Sequence, residues 1–170
     1  MGRDTLVINF FGGPGCGKST MAANLFAEMK YLGLDVELVT EYCKTFTYRP
    51  AEFPNQEKIF LNQTTPMLRC YGKVDFIVTD APVFLSYIYG GNSFKLPARA
   101  FHRYLSPSFN IFIKRVKGYN PLGRIHSESE AIEKDKEIKT AFTKAFGKFS
   151  LEVPGVRESV SHILGRVIFG

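Results

Sequence analysis

The chain contains no tryptophan and only three cysteines among its 170 residues. Cys16, Cys43 and Cys70 are odd in number and lack the close spacing of a zinc or dithiol site. A disulfide framework is therefore not expected, and reduced thiols in the cytoplasm are. His102, His126 and His162 are scattered without metal-ligand spacing and receive no chemical role. Long apolar runs are missing too, so no segment is expected to span a bilayer and no membrane partner is expected. Arg3 and Asp4 lead directly into a strand-like run, unlike a secretory leader. Gly2 does not open a myristoylation motif, because the sixth residue is Leu6. Internal repeats and low-complexity stretches are absent.

What is present suits one globular domain spanning residues 1–170. The hydrophobic fraction of 45% and the aromatic fraction of 14% suffice for a core. The net charge of +6 suits a protein that handles phosphates and permits contact with nucleic acid. No long basic tail demands such contact.

The most specific feature is Gly12-Gly13-Pro14-Gly15-Cys16-Gly17-Lys18-Ser19, a full match to G-x-x-x-x-G-K-[ST]. Thr5 to Phe11 ahead of it reads as a buried strand. Ser19 to Leu32 behind it has helical spacing of Met21, Leu25, Phe26, Met29 and Leu32. Strand, glycine turn and helix is the order in which backbone N–H groups can wrap a phosphate chain, with Thr20 continuing the helix. Lys18 is expected on the β- and γ-phosphates, and the Ser19 hydroxyl on Mg²⁺. Cys16 is read as a small filler whose N–H binds. Its place at a helix start is also expected to make the thiol reactive and its alkylation inhibitory.

The rest alternates strand and helix. Strands are expected at Asp35 to Thr40, Val74 to Thr79, Phe109 to Ile113 and Phe149 to Val153. Helices are expected at Asn55 to Cys70, Pro82 to Tyr89, Pro97 to Leu105, from Ser127 onward, and at Val156 to Ile168. Pro66 is expected to kink or divide its helix. Ser127 with Glu130 reads as a capping box, followed by an apolar stripe of Ile138, Phe142, Ala145, Phe146 and Phe149. Alternation of this kind predicts an α/β fold with a parallel sheet, its ligand beyond the carboxyl ends of the strands.

Residues just after strands are therefore the candidates. Asp80 ends Phe76-Ile-Val-Thr-Asp80 and can hold Mg²⁺ or orient an acceptor; it can equally cap the helix after Pro82. Glu41 ends the second strand and can take a proton from an acceptor hydroxyl, or act as a solvated first-turn glutamate. Lys114, Arg115, Lys117 and Arg124 lie in a segment broken by Gly118, Pro121 and Gly123. This segment, about 115–127, reads as a lid that brings Arg115 and Arg124 onto the transferring phosphate, or as a solvated basic loop. Tyr119 and Asn120 read as turn residues. Tyr42, Tyr48, Arg49, Gln63, Arg69 and Phe84 are candidates for the acceptor pocket. The aromatics can stack on a base, Gln63 can bond its edge, and Arg49 and Arg69 can meet a phosphate.

Phe11 to Thr20, Val36 to Lys44, Val78 to Pro82 and Arg115 to Ala131 together resemble the small nucleoside and nucleotide kinases of the phosphate-loop superfamily. The chain is most similar to small bacteriophage-type kinases often labelled AAA ATPases. The resemblance implies a three-layer fold with a five-stranded parallel sheet of order 2-3-1-4-5, use of ATP and Mg²⁺, and a basic lid. It implies Lys18 and Ser19 on phosphate and metal, Glu41 as base, Asp80 as the acidic residue after the third strand, and the turn at Pro154 beside adenine. Ala81 stands where deoxynucleoside and thymidylate kinases place an arginine, which leaves the acceptor open. A nucleoside, nucleotide or related ribosyl compound is the first expectation. A hydroxymethylated pyrimidine within DNA is the second, and a regulatory ATPase the third. The protein is expected in the cytoplasm, that of the host if phage-encoded, with its oligomeric state open and a homodimer one option.

Overall fold

A computed structural model of the protein describes residues 3–170, so Gly2 lies outside the described residues. Five strands form one sheet: β1 Leu6–Phe11, β2 Val36–Val39, β3 Phe76–Thr79, β4 Ser108–Lys114 and β5 Leu151–Pro154. All pairings are parallel and the order is β2-β3-β1-β4-β5, as the sequence resemblance implies. Six α-helices accompany it among the described residues: α1 Lys18–Tyr31, α2 Gln56–Cys70, α3 Ser86–Tyr89, α4 Asn92–Tyr104, α5 Glu128–Phe146 and α6 Glu158–Phe169. None is long and apolar enough to cross a membrane.

Side chains alternate across β1, so its two faces meet different layers. Ile8 and Phe10 pack with Leu25, Met29, Val160 and Ile163 of α1 and α6. Val7 faces the other way, toward Met67 of α2. Phe11 joins Ile138 and Phe142 of α5 on that second side. The central strand β1 is thus apolar on both faces, as a parallel sheet covered by helices on both sides requires.

Pro66 does not divide α2, which runs unbroken from the Asn55 cap to Cys70. The carbonyl that its missing N–H would have served belongs to Asn62, an exposed residue, while Gln63, Thr64 and Met67 are buried along the same helix. Burial of that flank outweighs the lost bond. Pro97 likewise lies inside α4, which begins at Asn92, five residues before the expected start. The Ser127 capping box is present, with both of its reciprocal bonds. A 3₁₀ turn over Tyr42–Tyr48 had no signature in the sequence.

His102 of α4 is buried against the rings of Phe11, Phe84, Phe142 and Phe146. Burial lowers its pKa from 6.5 to about 4. In the unfolded chain the imidazole protonates at the ordinary value, while the native state refuses the proton until about pH 4. Stability is therefore full above the unfolded pKa and falls as the pH drops toward 4, by on the order of 3 kcal/mol. Urea midpoints should decline across this interval in wild type, and His102→Phe should flatten the decline. An equally steep decline in the variant would assign it to other groups.

Candidate functional site

β1 leads into a turn whose glycines hold conformations that side chains disfavour. Gly12, Gly15 and Gly17 have φ of +140°, +79° and +106°. At Gly15 a Cβ would also sit 3.0 Å from the Tyr119 ring and 3.3 Å from Arg115 Nη1. Glycine there satisfies both the backbone angle and the close approach. No side chain caps the start of α1. The N–H groups of its first turn, at Lys18, Ser19 and Thr20, therefore remain free to meet an anion. Lys18 Nζ donates to the carbonyls of Gly12 at 2.7 Å and Gly13 at 3.0 Å.

The turn after β5 abuts this loop. Gly155 N–H donates to the Lys114 carbonyl at 3.0 Å, and a Cβ on Gly155 would collide with the Cys16 carbonyl oxygen. Pro154 receives the Ser159 hydroxyl on its carbonyl at 2.8 Å. Pro154 and Gly155 thus lie beside the loop without lining the cavity it borders.

Cys16 departs from its expected reactivity. Its thiol is turned inward, 5% exposed, among Phe10, Ile113 and Val153. A helix start can activate only a thiol that a reagent can reach. Iodoacetamide is therefore expected to spare Cys16 in the native protein and modify it after denaturation, as read by peptide mass spectrometry. Rapid native labelling of Cys16 would contradict this.

The loop forms one wall of a cavity of about 410 Å³. Pro14, Gly15 and Gly17 to Thr20 line that wall. Glu41, Cys43, Lys44, Gln56, Gln63 and Tyr89 are among the residues that line the rest, with Gly123 to His126 closing it. The Glu41 N–H donates to Asp80 Oδ1 at 2.9 Å, and the Cys43 thiol donates to Glu41 Oε1 at 3.1 Å. Asp80 is 2% exposed and lies behind the wall, where it braces the Glu41 backbone. Burial, with Glu41 nearby, pushes both the Cys43 thiol and the Tyr89 hydroxyl above their ordinary pKa values. Both stay protonated donors beside the Glu41 carboxylate. Sequence reasoning missed Cys43 and Tyr89, which carry no spacing signal.

No family model matches the chain. No curated protein matches it. Among solved structures, the crystal structure of APE1195 is similar to it over 100% of both chains, at 17% identity and a TM-score of 0.49. Likeness at this level carries no inference about the site.

Arg115 is not the mobile arm that the lid reading expects. Its side chain is 12% exposed and its partner Asp135 is 17% exposed. Nε donates to Asp135 Oδ2 at 3.0 Å and Nη2 to the Pro14 carbonyl at 2.8 Å. Asp135 Oδ1 in turn accepts the Gly13 N–H at 2.5 Å. One carboxylate on α5 therefore ties the glycine loop to the arginine. Asp135 was not legible in the sequence, because nothing local marks it among the many charges of α5. Arg124 does line the cavity, and its Nε donates to the Asn120 carbonyl at 2.9 Å.

Several acceptor candidates lie elsewhere. Arg49 is 75% exposed and paired with Glu52 at 3.2 Å. Arg69 is exposed, six residues beyond Gln63 on α2, which is about 9 Å of helix rise away from the cavity end. Tyr42 packs on Phe46 with ring centroids 5.5 Å apart and does not line the cavity. Tyr48 is exposed against Gly123, and Phe84 is fully buried in the core. Gln63 reaches the cavity, but its amide is engaged. Oε1 accepts the Tyr42 N–H at 2.9 Å and Nε2 donates to the Thr40 carbonyl at 3.2 Å. Its role is to hold the backbone on either side of Glu41. Among the described residues, no cluster of three or more His, Cys, Asp or Glu could hold a metal alone.

Proposed function

We propose that this protein is a phosphate-loop kinase that uses ATP and Mg²⁺ to phosphorylate a hydroxyl of a nucleoside, nucleotide or related ribosyl acceptor. The observation that carries this reading is a single cavity with the Gly12–Ser19 loop on one wall and Glu41 on another. An anion-binding turn and a carboxylate sharing one cavity are what phosphoryl transfer to a hydroxyl needs.

The loop amides and Lys18 would bind the phosphate chain, and Glu41 would accept the proton of the attacking hydroxyl. The acceptor oxygen then bonds to the γ-phosphorus as the bond to the β-γ bridging oxygen breaks, and ADP leaves. Lys18, Arg115 and Arg124 offset the charge that moves onto the bridging and equatorial oxygens. The Ser19 hydroxyl on the cavity wall would hold Mg²⁺, and Asp80, behind that wall, would act on the ion only through its other ligands. The ion would add further charge neutralisation. Glu41, rather than Asp80, is the base in this reading, because Glu41 lines the cavity and Asp80 lies behind it.

The acceptor wall presents one carboxylate and one lysine, Lys44, while Arg49 and Arg69 lie outside. A carboxylate without arginine partners suits an uncharged hydroxyl compound better than a phosphate monoester. The test is transfer of label from [γ-³²P]ATP to nucleosides, nucleoside monophosphates, nicotinamide riboside and hydroxymethyl-modified DNA. Label on a free nucleoside or riboside supports the proposal. Label on the DNA alone, lost steeply with added salt, would place the acceptor in a polymer. ATP hydrolysis without any labelled acceptor would favour a regulatory ATPase.

A further inference from the structure

The segment between β4 and α5 carries two arginines near the loop and one tyrosine between them. The guanidinium of Arg115 lies 5.9 Å from the Tyr119 ring centroid and that of Arg124 lies 5.8 Å from it. The same ring packs on the loop, since a Cβ at Gly15 would sit 3.0 Å from its edge. The Tyr119 hydroxyl donates to the His126 carbonyl, which closes the segment around Arg124.

The charges in this arrangement do not balance. Asp135 pairs with Arg115. No carboxylate pairs with Arg124 or with Lys18 among the described residues. Two guanidiniums held at one ring repel each other, and the negative face of the ring offsets part of that repulsion without supplying a counter-charge. An acid in the same place would neutralise the pair. Arg115 Nη1 is also buried without a hydrogen-bond partner, on the side of the guanidinium that faces Gly15. A buried unmet donor is costly, and an anion held in the loop would meet it.

We propose that Tyr119 is a positioning residue that holds Arg115 and Arg124 together as a preformed cationic pair for the polyphosphate chain. This rests on the kinase reading for its ligand, but its anion chemistry can be tested without phosphoryl transfer. The segment is then a strap tied to the loop through Arg115 and Asp135, with Tyr119 and the Asn120 carbonyl holding Arg124 beside them.

The experiment is titration calorimetry with inorganic tripolyphosphate, alongside labelled-ATP transfer kinetics. It uses wild type, Tyr119→Phe, Tyr119→Leu, Arg124→Ala and the Tyr119→Leu/Arg124→Ala double variant, each checked for folding by thermal melting. Tyr119→Leu should weaken tripolyphosphate binding roughly tenfold, because two cation–π contacts are lost. Tyr119→Phe keeps the ring and should recover most of that loss. The double variant should lose clearly less than the sum of the two single losses, because Arg124→Ala already removes one of the two contacts that Tyr119→Leu breaks. In transfer, Tyr119→Leu should lower kcat/KM for ATP and leave KM for the acceptor unchanged. Additive losses in the double variant, a folded Tyr119→Leu that binds like wild type, or a wild type that does not bind tripolyphosphate would each overturn the proposal. A wild type that binds tripolyphosphate with the expected Tyr119 dependence, yet transfers no label, would support the anion site and overturn only the kinase reading.

Discussion

Lys18→Ala is expected to reduce phosphoryl transfer roughly a hundred- to thousandfold, the usual cost of removing one donor aimed at developing charge. Lys18 begins α1 and lines the cavity, and its ammonium already lies within hydrogen-bond distance of two loop carbonyls. It can therefore swing onto a bound phosphate chain without any movement of the backbone. The fold should persist, because among the described residues Lys18 forms no ion pair and takes no part in the hydrophobic clusters. Loss of its bonds to Gly12 and Gly13 should cost about 1 kcal/mol of stability at most. The measurement is initial-rate transfer at saturating acceptor, with circular dichroism as the check on folding. A folded variant with near wild-type turnover would show that the loop does not carry the donor phosphates.

Glu41→Gln is expected to lower kcat by a factor of about 10² to 10⁴, the range for a positioned general base. The amide keeps the size of the side chain and can still accept the Cys43 thiol, so packing around the 3₁₀ turn should hold. The backbone bond from Glu41 to Asp80 does not depend on the side chain at all. Binding of ATP should therefore be unchanged within about twofold, while transfer to every hydroxyl acceptor falls. If Glu41→Gln turns over like wild type and Asp80→Asn does not, the roles of the two carboxylates are reversed.

Local patterns made much of the architecture legible. The apolar run before Gly12, the helical spacing after Ser19 and the Ser127–Glu130 box each depend on residues within one turn or strand of one another. The two prolines misled for the same reason. Pro66 and Pro97 are helix breakers by local chemistry, yet each sits where the orphaned carbonyl belongs to an exposed residue and a neighbouring face is buried. Burial of a whole helix face outweighs one missing bond. Boundaries also moved, with β2 ending at Val39 rather than Thr40.

The candidate site divides along the same line. Pro14, Gly15, Gly17 to Ser19, Glu41 and Arg124 reach the cavity as their positions after strands and in the glycine-broken segment suggest. Arg49, Arg69, Tyr42 and Phe84 do not, because residue type alone does not say which way a helix or turn faces. Asp135 and Tyr119 are the reverse case. Neither stands out in sequence, and both acquire meaning only from partners more than ten residues away or from the ring that two cations share.

By itself the sequence determined the order of strands and helices, the glycine loop and the chemistry that such a loop can serve, because these follow from contacts along one stretch of chain. Only the tertiary structure decided which charged side chains surround that loop, that Arg115 is bound to Asp135 rather than free, and that Asp80 stands behind Glu41. Those outcomes depend on how α5, the 3₁₀ turn and the sheet pack against one another. Side-chain partners brought together across the fold leave no periodic trace in the sequence that encodes them.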